Sequence, residues 1–534
     1  MMRPVMALSQ SALEKQVSEQ LARGNLGAAA AAAAQCRRDW PIAAGGWLLG
    51  SIVALLGGDR DEALALIEEY LRTEPDDAQC LLQKAECLLA RNDRAAALDA
   101  AESAAARARE IPATMEAVGE FLIQAGEHAR AVAIYDCALE NEHRDQVRRA
   151  TLLARRAAAH RILGQFELAE RDYEAVLAID PVAPKVLKAL SELRRQTRER
   201  NWIEQMQRAL ARLPPQSEHA AIVHFGLAKS YQDLGDHAAS WQHLSAANRI
   251  ERSLIEYSPD PDRALMRAME EIFTTVQSDP LEARSERPIF IIGLPRCGST
   301  LVEQILSNHP EVRACGELTA MTDAILTVGD RLSGPQPIDA RSHARRLAEL
   351  DGAALAQEYL ARLHPLTDAR TRWTDKQLIN FLYCPLLLRA FPQARIVHVT
   401  RHPLAACHAI YRTRFTTGGY PFAYDLTEIA EFYIGYRRLM AHWHHLLPGQ
   451  ILELPYEALV TGFEPSVRQL LDFAGLPFDS ACLEFHRNPA PVITASSVQV
   501  RQPLYDSSLN LWKHYAEGLA PARARLEVAG IALD

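Results

Sequence analysis

No run in this sequence of 534 residues is apolar for long enough to span a membrane; the longest low-complexity piece is Ala28 to Ala34. Cysteine is sparse. There are nine, an odd number, and none forms a C-x-x-C pair, so neither a disulfide framework nor a zinc site is indicated. Free thiols in a reducing cytoplasm are the expectation. The start, MMRPVMALSQSALEKQ, has no apolar core of the kind a secretory leader needs. Positive charge is also in deficit: the formal net charge is -9, which argues against a general nucleic-acid binder with its basic stripe. What is present, 48% hydrophobic and 23% charged residues, is the composition of a soluble globular protein. The length exceeds one ordinary core, so two or more domains are expected.

Turn marks recur through the first half: GNLGAA at Gly24, GDRDEA at Gly58, NDRAAA at Asn92 and GEHARA at Gly126, each 34 residues after the last. They resume after small insertions as GQFELA at Gly164, NWIEQM at Asn201 and GDHAAS at Gly235. Five residues after most marks stands a small alanine: Ala29, Ala63, Ala97, Ala131 and Ala169. Pro41, Pro75 and Pro181 follow three of the marks by seventeen residues. Gly or Asn takes the left-handed position that ends a helix. Alanine lets the next helix pack closely, and proline stops the second helix of the pair. This period resembles the tetratricopeptide repeat. Met206 and Ser240 replace the alanine at the last two marks. Such arrays stack into a superhelix with a concave binding surface. Binding of a partner or substrate is the expectation here; the alternatives are a buttress for the next domain or self-association.

The pattern loosens from Ser253 to Arg287, and its period changes after that. Pro288 to Ile292, Ala394 to Thr400 and Ile451 to Tyr456 read as buried strands with amphipathic helices between them, which predicts a parallel sheet covered by helices. The domains expected are 1–252, helical repeats; 253–284, a helical linker; and 285–534, an α/β domain. In such sheets ligands bind beyond the carboxyl ends of the strands, where Arg296 and Arg401 lie.

The stretch IFIIGLPRCGSTLVEQILSNHPEV has the strand, glycine turn and helix of a phosphate loop, with Gly293 and Gly298 keeping the G-x-x-x-x-G frame. It lacks the phosphate-gripping lysine: Ser299 stands in that place, followed by Thr300. The strand ending in VTRHP likewise has Arg401 where a nucleotide hydrolase would place a magnesium-binding aspartate. Backbone amides, two hydroxyls and the permanent charge of Arg296 point to a phosphate-type ligand that needs no divalent ion.

These residues, with ACGELT, TDKQLINFLY, VTRHPLAACHAIYR, LPYEALV and SSVQVRQPLYDSSLNLWKHY, resemble the sulfotransferases that use 3'-phosphoadenosine 5'-phosphosulfate (PAPS). Within them the resemblance is to the protein-tyrosine sulfotransferase branch and its bacterial relatives fused to tetratricopeptide repeats. It runs from about Arg287 to Tyr515. It implies a multidomain chain: an all-α tetratricopeptide-like solenoid, then an α/β P-loop-like sulfotransferase domain with a central parallel sheet. PAPS would be the donor, 3'-phosphoadenosine 5'-phosphate the product, and no metal would be required. Pro295, Arg296, Cys297, Gly298, Ser299 and Thr300 would hold the 5'-phosphosulfate. Arg296, Lys376 and Ser496 would stabilise the leaving oxygen, and Glu317 would act as general base. The resemblance further implies Arg401 on the 3'-phosphate, Tyr456 against adenosine, and Arg501 and Lys513 as late-loop phosphate contacts. The acceptor implied is tyrosine of a protein or peptide, possibly one the solenoid holds; carbohydrate or small-molecule hydroxyls are the alternative. Two other classes stay open, an ATP-using phosphotransferase and a catalytically dead scaffold, and so does a homodimer.

Two positions depart from the family pattern. Ala409 stands where a serine commonly follows the 3'-phosphate arginine by eight residues, with Arg412 or Arg414 placed to compensate. Thr319 stands where an acceptor-side arginine follows the base. The HWHH cluster (His442, His444, His445) reads as a partly buried helix, not a metal site. Cys297 reads as a small residue whose amide matters.

Overall fold

The computed structural model describes residues 9–142, 145–275, 287–333, 339–363, 372–415, 419–488, 490, 492 and 498–533. They fall into two compact units, Met1–Ile179 and Asp180–Asp534.

The first unit is all helical and tetratricopeptide-like. Helices Gln10–Ala22 and Leu26–Asp39, Ala44–Leu56 and Arg60–Leu71, and Ala78–Ala90 and Arg94–Arg107 pack as successive pairs, and two further pairs follow. Gly24, Gly58, Gly126 and Gly164 hold φ between 73° and 85°, and Asn92 holds 64°, so every predicted mark here is a left-handed residue ending a helix. The next helix starts at once. Asn25, Asp59 and Asp93 accept the amides of Ala28, Glu62 and Ala96 as N-caps. Ala29, Ala63, Ala97, Ala131 and Ala169 are all completely buried, because a larger side chain there would hold neighbouring helices apart.

In the second unit one more helical pair, Glu218–Asp233 and His237–Ser253, turns at Gly235 with φ 80°. It packs with a five-stranded, all-parallel sheet in the order β2-β3-β1-β4-β5. The strands are β1 (Ile289–Gly293), β2 (Val312–Ala314), β3 (Arg372–Asp375), β4 (Arg395–Thr400) and β5 (Ile451–Pro455). Alternation sends Phe290, Ile292 and Ile396 into one core and Ile289, Ile291, Val397 and Val399 into the other. Both faces are therefore covered, as parallel sheets require. Sequence patterning predicts β1, β4 and β5. It misses β2 and β3, which are short and carry arginine, threonine and aspartate. β3 is buried nonetheless, because Arg372 donates to the carbonyls of Ala474 and Gly475 and Asp375 accepts from Tyr359. The helical linker expected over 253–284 contains the helix Asp260–Ile272, which packs on the helix Leu426–Leu446 in this second unit; residues 276–284 lie outside the described ones.

Candidate functional site

The carboxyl end of β1 runs into a loop that only glycine can begin. A Cβ on Gly293 would lie 2.5 Å from the carbonyl oxygen of Val399 on the neighbouring strand. Arg296 takes φ 67° and Gly298 takes φ 105°, after which the helix Ser299–Ser307 starts. A left-handed arginine is an unusual choice, and the surroundings hold it there. Gly298 is fixed by a second close approach: a Cβ would meet the Tyr456 ring at 2.4 Å. Pro295, Cys297, Ser299 and Thr300 are buried around the turn. Burial raises the Cys297 thiol, partly opposed by hydrogen bonding from Ser299. A thiol held in its neutral form makes no nucleophile at ordinary pH.

Three guanidinium groups converge beside this loop. Arg401, directly after β4, donates from Nη1 to the Arg296 carbonyl (2.9 Å) and from Nη2 to the Ser508 carbonyl (3.0 Å). It lies over the Tyr456 ring at 4.9 Å, and the Tyr456 hydroxyl meets Ser508 Oγ at 2.9 Å. Arg412, just past the helix Pro403–Tyr411, donates to Gln232 Oε1 at 3.3 Å. Arg296 donates to Gln499 Oε1 at 3.1 Å. Burial, then Arg412 and Arg401, pull the Arg296 guanidinium down to about 10. Arg412 is lowered by burial and then by Arg401, and His408 is held well below its usual range by burial, Arg412 and Arg401. Among the described residues neither Arg401 nor Arg412 has an ion-pair partner, and Arg401 Nε and His408 Nε2 are buried without a hydrogen-bond partner. Two packed cations without an ion-pair partner, Arg401 and Arg412, suit a multiply charged anion. Ala409, at the position of the family serine, is buried one turn before Arg412. Arg414 is engaged elsewhere, with Glu218 and Glu251.

Beyond β3 the chain builds a carboxylate–ammonium–carboxylate row. Lys376, fully buried, sets Nζ 2.7 Å from Glu317 Oε1 and 3.6 Å from Glu303 Oε2. Burial pulls its ammonium down, but Glu303 and Glu317 outweigh that and leave it raised. Glu303, from the helix Ser299–Ser307, also accepts from the Gly316 amide (3.1 Å) and Thr374 Oγ1 (3.2 Å). Lys376 N in turn donates to the Gly316 carbonyl at 2.9 Å, so one buried carboxylate fixes both the lysine and the turn before Glu317. Glu317 itself is half exposed, with side-chain exposure of 49%. The Tyr420 phenol, raised by burial, is raised further by Glu317 and Cys297, which face it from either motif. The adjacent Asp375 is pushed up to about 7 by burial.

Arg296, Arg401 and Tyr456 thus gather at the loop, and Glu317 pairs with Lys376. Arg501 donates to the carbonyls of Asn488 (3.4 Å) and Ala490 (3.0 Å), and Lys513 is exposed on the short helix Leu511–Tyr515. Ser496 lies outside the described residues. Sequence reasoning missed Glu303 and gave Gln232 no role. The one charged residue in the helix Ser299–Ser307 is the signal that would have found Glu303; nothing local marks Gln232, which reaches Arg412 only through the fold.

Residues 288–480 match the model of the sulfotransferase family. An uncharacterised protein of Aquifex aeolicus (strain VF5) is 32% identical over 369 residues, covering 67% of this chain and 48% of that protein. A protein-tyrosine sulfotransferase of Drosophila melanogaster is 27% identical over 243 residues, covering 42% of this chain and 46% of the relative. The chain therefore spans about half the length of each of these two relatives. The sulfotransferase domain from the curacin biosynthetic pathway aligns over 47% of this chain and 100% of that chain, at 17% identity and a TM-score of 0.33. The C-terminal half of this chain carries a domain of the sulfotransferase family.

Proposed function

We propose that this protein transfers a sulfuryl group from PAPS to an acceptor hydroxyl, that of tyrosine in a protein or peptide. The observation that carries the reading is the convergence of the half-buried Arg296, Arg401 and Arg412 at a glycine loop and helix start. The donor carries anionic groups at both ends of its ribose, and two anion-binding elements meet here. Amides and hydroxyls from Pro295 to Thr300 receive the 5' end; Arg401, assisted by Arg412, receives the 3'-phosphate, with Tyr456 beside the nucleoside. Arg412 supplies by charge what Ala409 lacks as a hydroxyl.

The reaction breaks the bond between sulfur and the bridging phosphate oxygen and forms one between sulfur and the acceptor oxygen. The acceptor proton passes to the Glu317 carboxylate, and the electron pair of the broken bond stays on the phosphate. Arg296 and Lys376 face the charge gathering there; an oxyanion donor of this kind is typically worth about 2.7–4 kcal/mol. An ammonium has three donors. Glu317 engages one of them in a hydrogen bond and Glu303 adds an ion pair at 3.6 Å, which leaves donor capacity for the departing oxygen. The partial exposure of Glu317 is what a base needs to reach an incoming acceptor.

Sulfur-35-labelled PAPS, incubated with the protein and a tyrosine-containing acidic peptide, should label the peptide. Arg296→Ala and Glu317→Ala should each cut transfer by about 10²-fold or more while the circular dichroism spectrum is kept. Labelling of carbohydrate alone would move the acceptor class. Full turnover by either variant would refute the assigned roles, and magnesium-dependent binding of ATP with PAPS ignored would overturn the donor.

A further inference from the structure

Away from the donor loop, three metal-ligating side chains meet on one face of the sheet. His398 on β4 and Glu453 on β5 are register partners, so their side chains leave the same face. The helix Leu426–Leu446 covers that face and brings His444 from its last turn. His398 Nδ1 lies 3.2 Å from His444 Nε2, and His444 Nε2 lies 3.6 Å from Glu453 Oε2; all three ligand atoms are within 4.8 Å of one another. Zinc–nitrogen bonds of about 2.0–2.1 Å at tetrahedral angles set neighbouring ligand atoms about 3.3–3.4 Å apart. The two distances bracket that edge.

Outer partners aim two of the groups. The Tyr436 hydroxyl is hydrogen bonded to His398 Nε2, which turns Nδ1 toward His444. Arg437 Nη1 donates to Glu453 Oε1 at 3.0 Å, which leaves Oε2 directed at the histidines. Metal-ligating histidines and carboxylates are commonly oriented through their second atom in this way. His398 is fully buried, whereas His444 and Glu453 are part exposed, so an ion can enter from solvent and keep a fourth position for water.

We propose that His398, His444 and Glu453 form a zinc site of two imidazoles and one carboxylate that pins β4, β5 and the covering helix together. The HWHH segment thus contributes one ligand and not two: His442 is taken by the Phe273 carbonyl at 2.7 Å, and His445 is exposed. The site is structural and takes no part in sulfuryl transfer. Its failure would leave the proposed function standing.

The test uses the full chain, stripped with chelator and dialysed, with zinc titrated against a chromogenic competitor. One equivalent of zinc should be bound at micromolar concentration, with a rise in thermal midpoint. Cobalt in its place should give the intense visible bands of tetrahedral coordination. His444→Ala should weaken that equivalent at least about tenfold and abolish the midpoint shift, and Glu453→Gln should weaken it less. Binding of 3'-phosphoadenosine 5'-phosphate, unchanged in both variants, shows that they fold. No zinc uptake by the wild-type chain, or uptake that His444→Ala leaves unchanged, overturns the proposal.

Discussion

Glu303 shows how a single buried charge organises the second half of the proposed site. It touches Lys376, Thr374 and the Gly316 amide at once, and so acts through Lys376 and Glu317 as a positioning residue. Glu303→Gln keeps an acceptor for Gly316 but removes one of the charges that hold the Lys376 ammonium raised. On the proposed reaction kcat should fall about tenfold with KM little changed, and the alkaline limb of the pH–rate profile should move to lower pH. An unmoved limb would assign Glu303 a packing role only. Asp375 allows a second prediction. Its carboxyl is pushed up to about 7 by burial, above the unfolded value of about 3.9. Between roughly pH 4 and 7 the folded chain keeps a proton the unfolded chain has lost, so stability falls as pH rises, by at most about 1.4 kcal/mol per unit. Asp375→Asn removes this slope and should gain stability relative to wild type as pH rises from 5 to 7.5. Urea midpoints at the two pH values check it; parallel shifts in both proteins would contradict it.

At the level of elements, the helical pair Glu218–Asp233 and His237–Ser253 is built into the sheet-containing unit. Gln232 holds Arg412, Asn248 donates to the Tyr411 carbonyl at 2.9 Å, and Arg414 pairs with Glu218 and Glu251. Every one of these contacts falls on residues 411 to 414, the turn that delivers Arg412 to the cation cluster. Asn248→Ala leaves a buried carbonyl unsatisfied and should cost about 1–3 kcal/mol, read from the denaturant midpoint. Gln232→Ala should leave stability near wild type and weaken nucleotide binding, as Arg412 loses its tether. Unchanged affinity in Gln232→Ala would make the pair a passive support.

Across the whole molecule, the features legible in the sequence are those with a local cause. Every repeat mark except Asn201 takes a left-handed residue, so Gly24 or Gly58 announces a helix end from its own position. The G-x-x-x-x-G frame announces the loop, because the contacts at Gly293 and Gly298 exclude any side chain. Tertiary arrangements were not legible. β2 and β3 are held by cross-strand partners and not by patterning, Gln232 meets Arg412 across a long stretch of chain, and His398 meets His444 only once a helix lies on the sheet. Helical repeats are expected as far as residue 252, and the compact units divide after Ile179.

The central claim is that half-buried guanidinium groups and loop amides, without magnesium, grip a nucleotide bearing phosphate at both 3' and 5' positions. Calorimetric titration of 3'-phosphoadenosine 5'-phosphate tests it most directly. One molecule should bind without added magnesium, more weakly as salt rises, and the heat should vanish in Arg401→Ala. A requirement for magnesium, or equal binding by Arg401→Ala, would contradict the account.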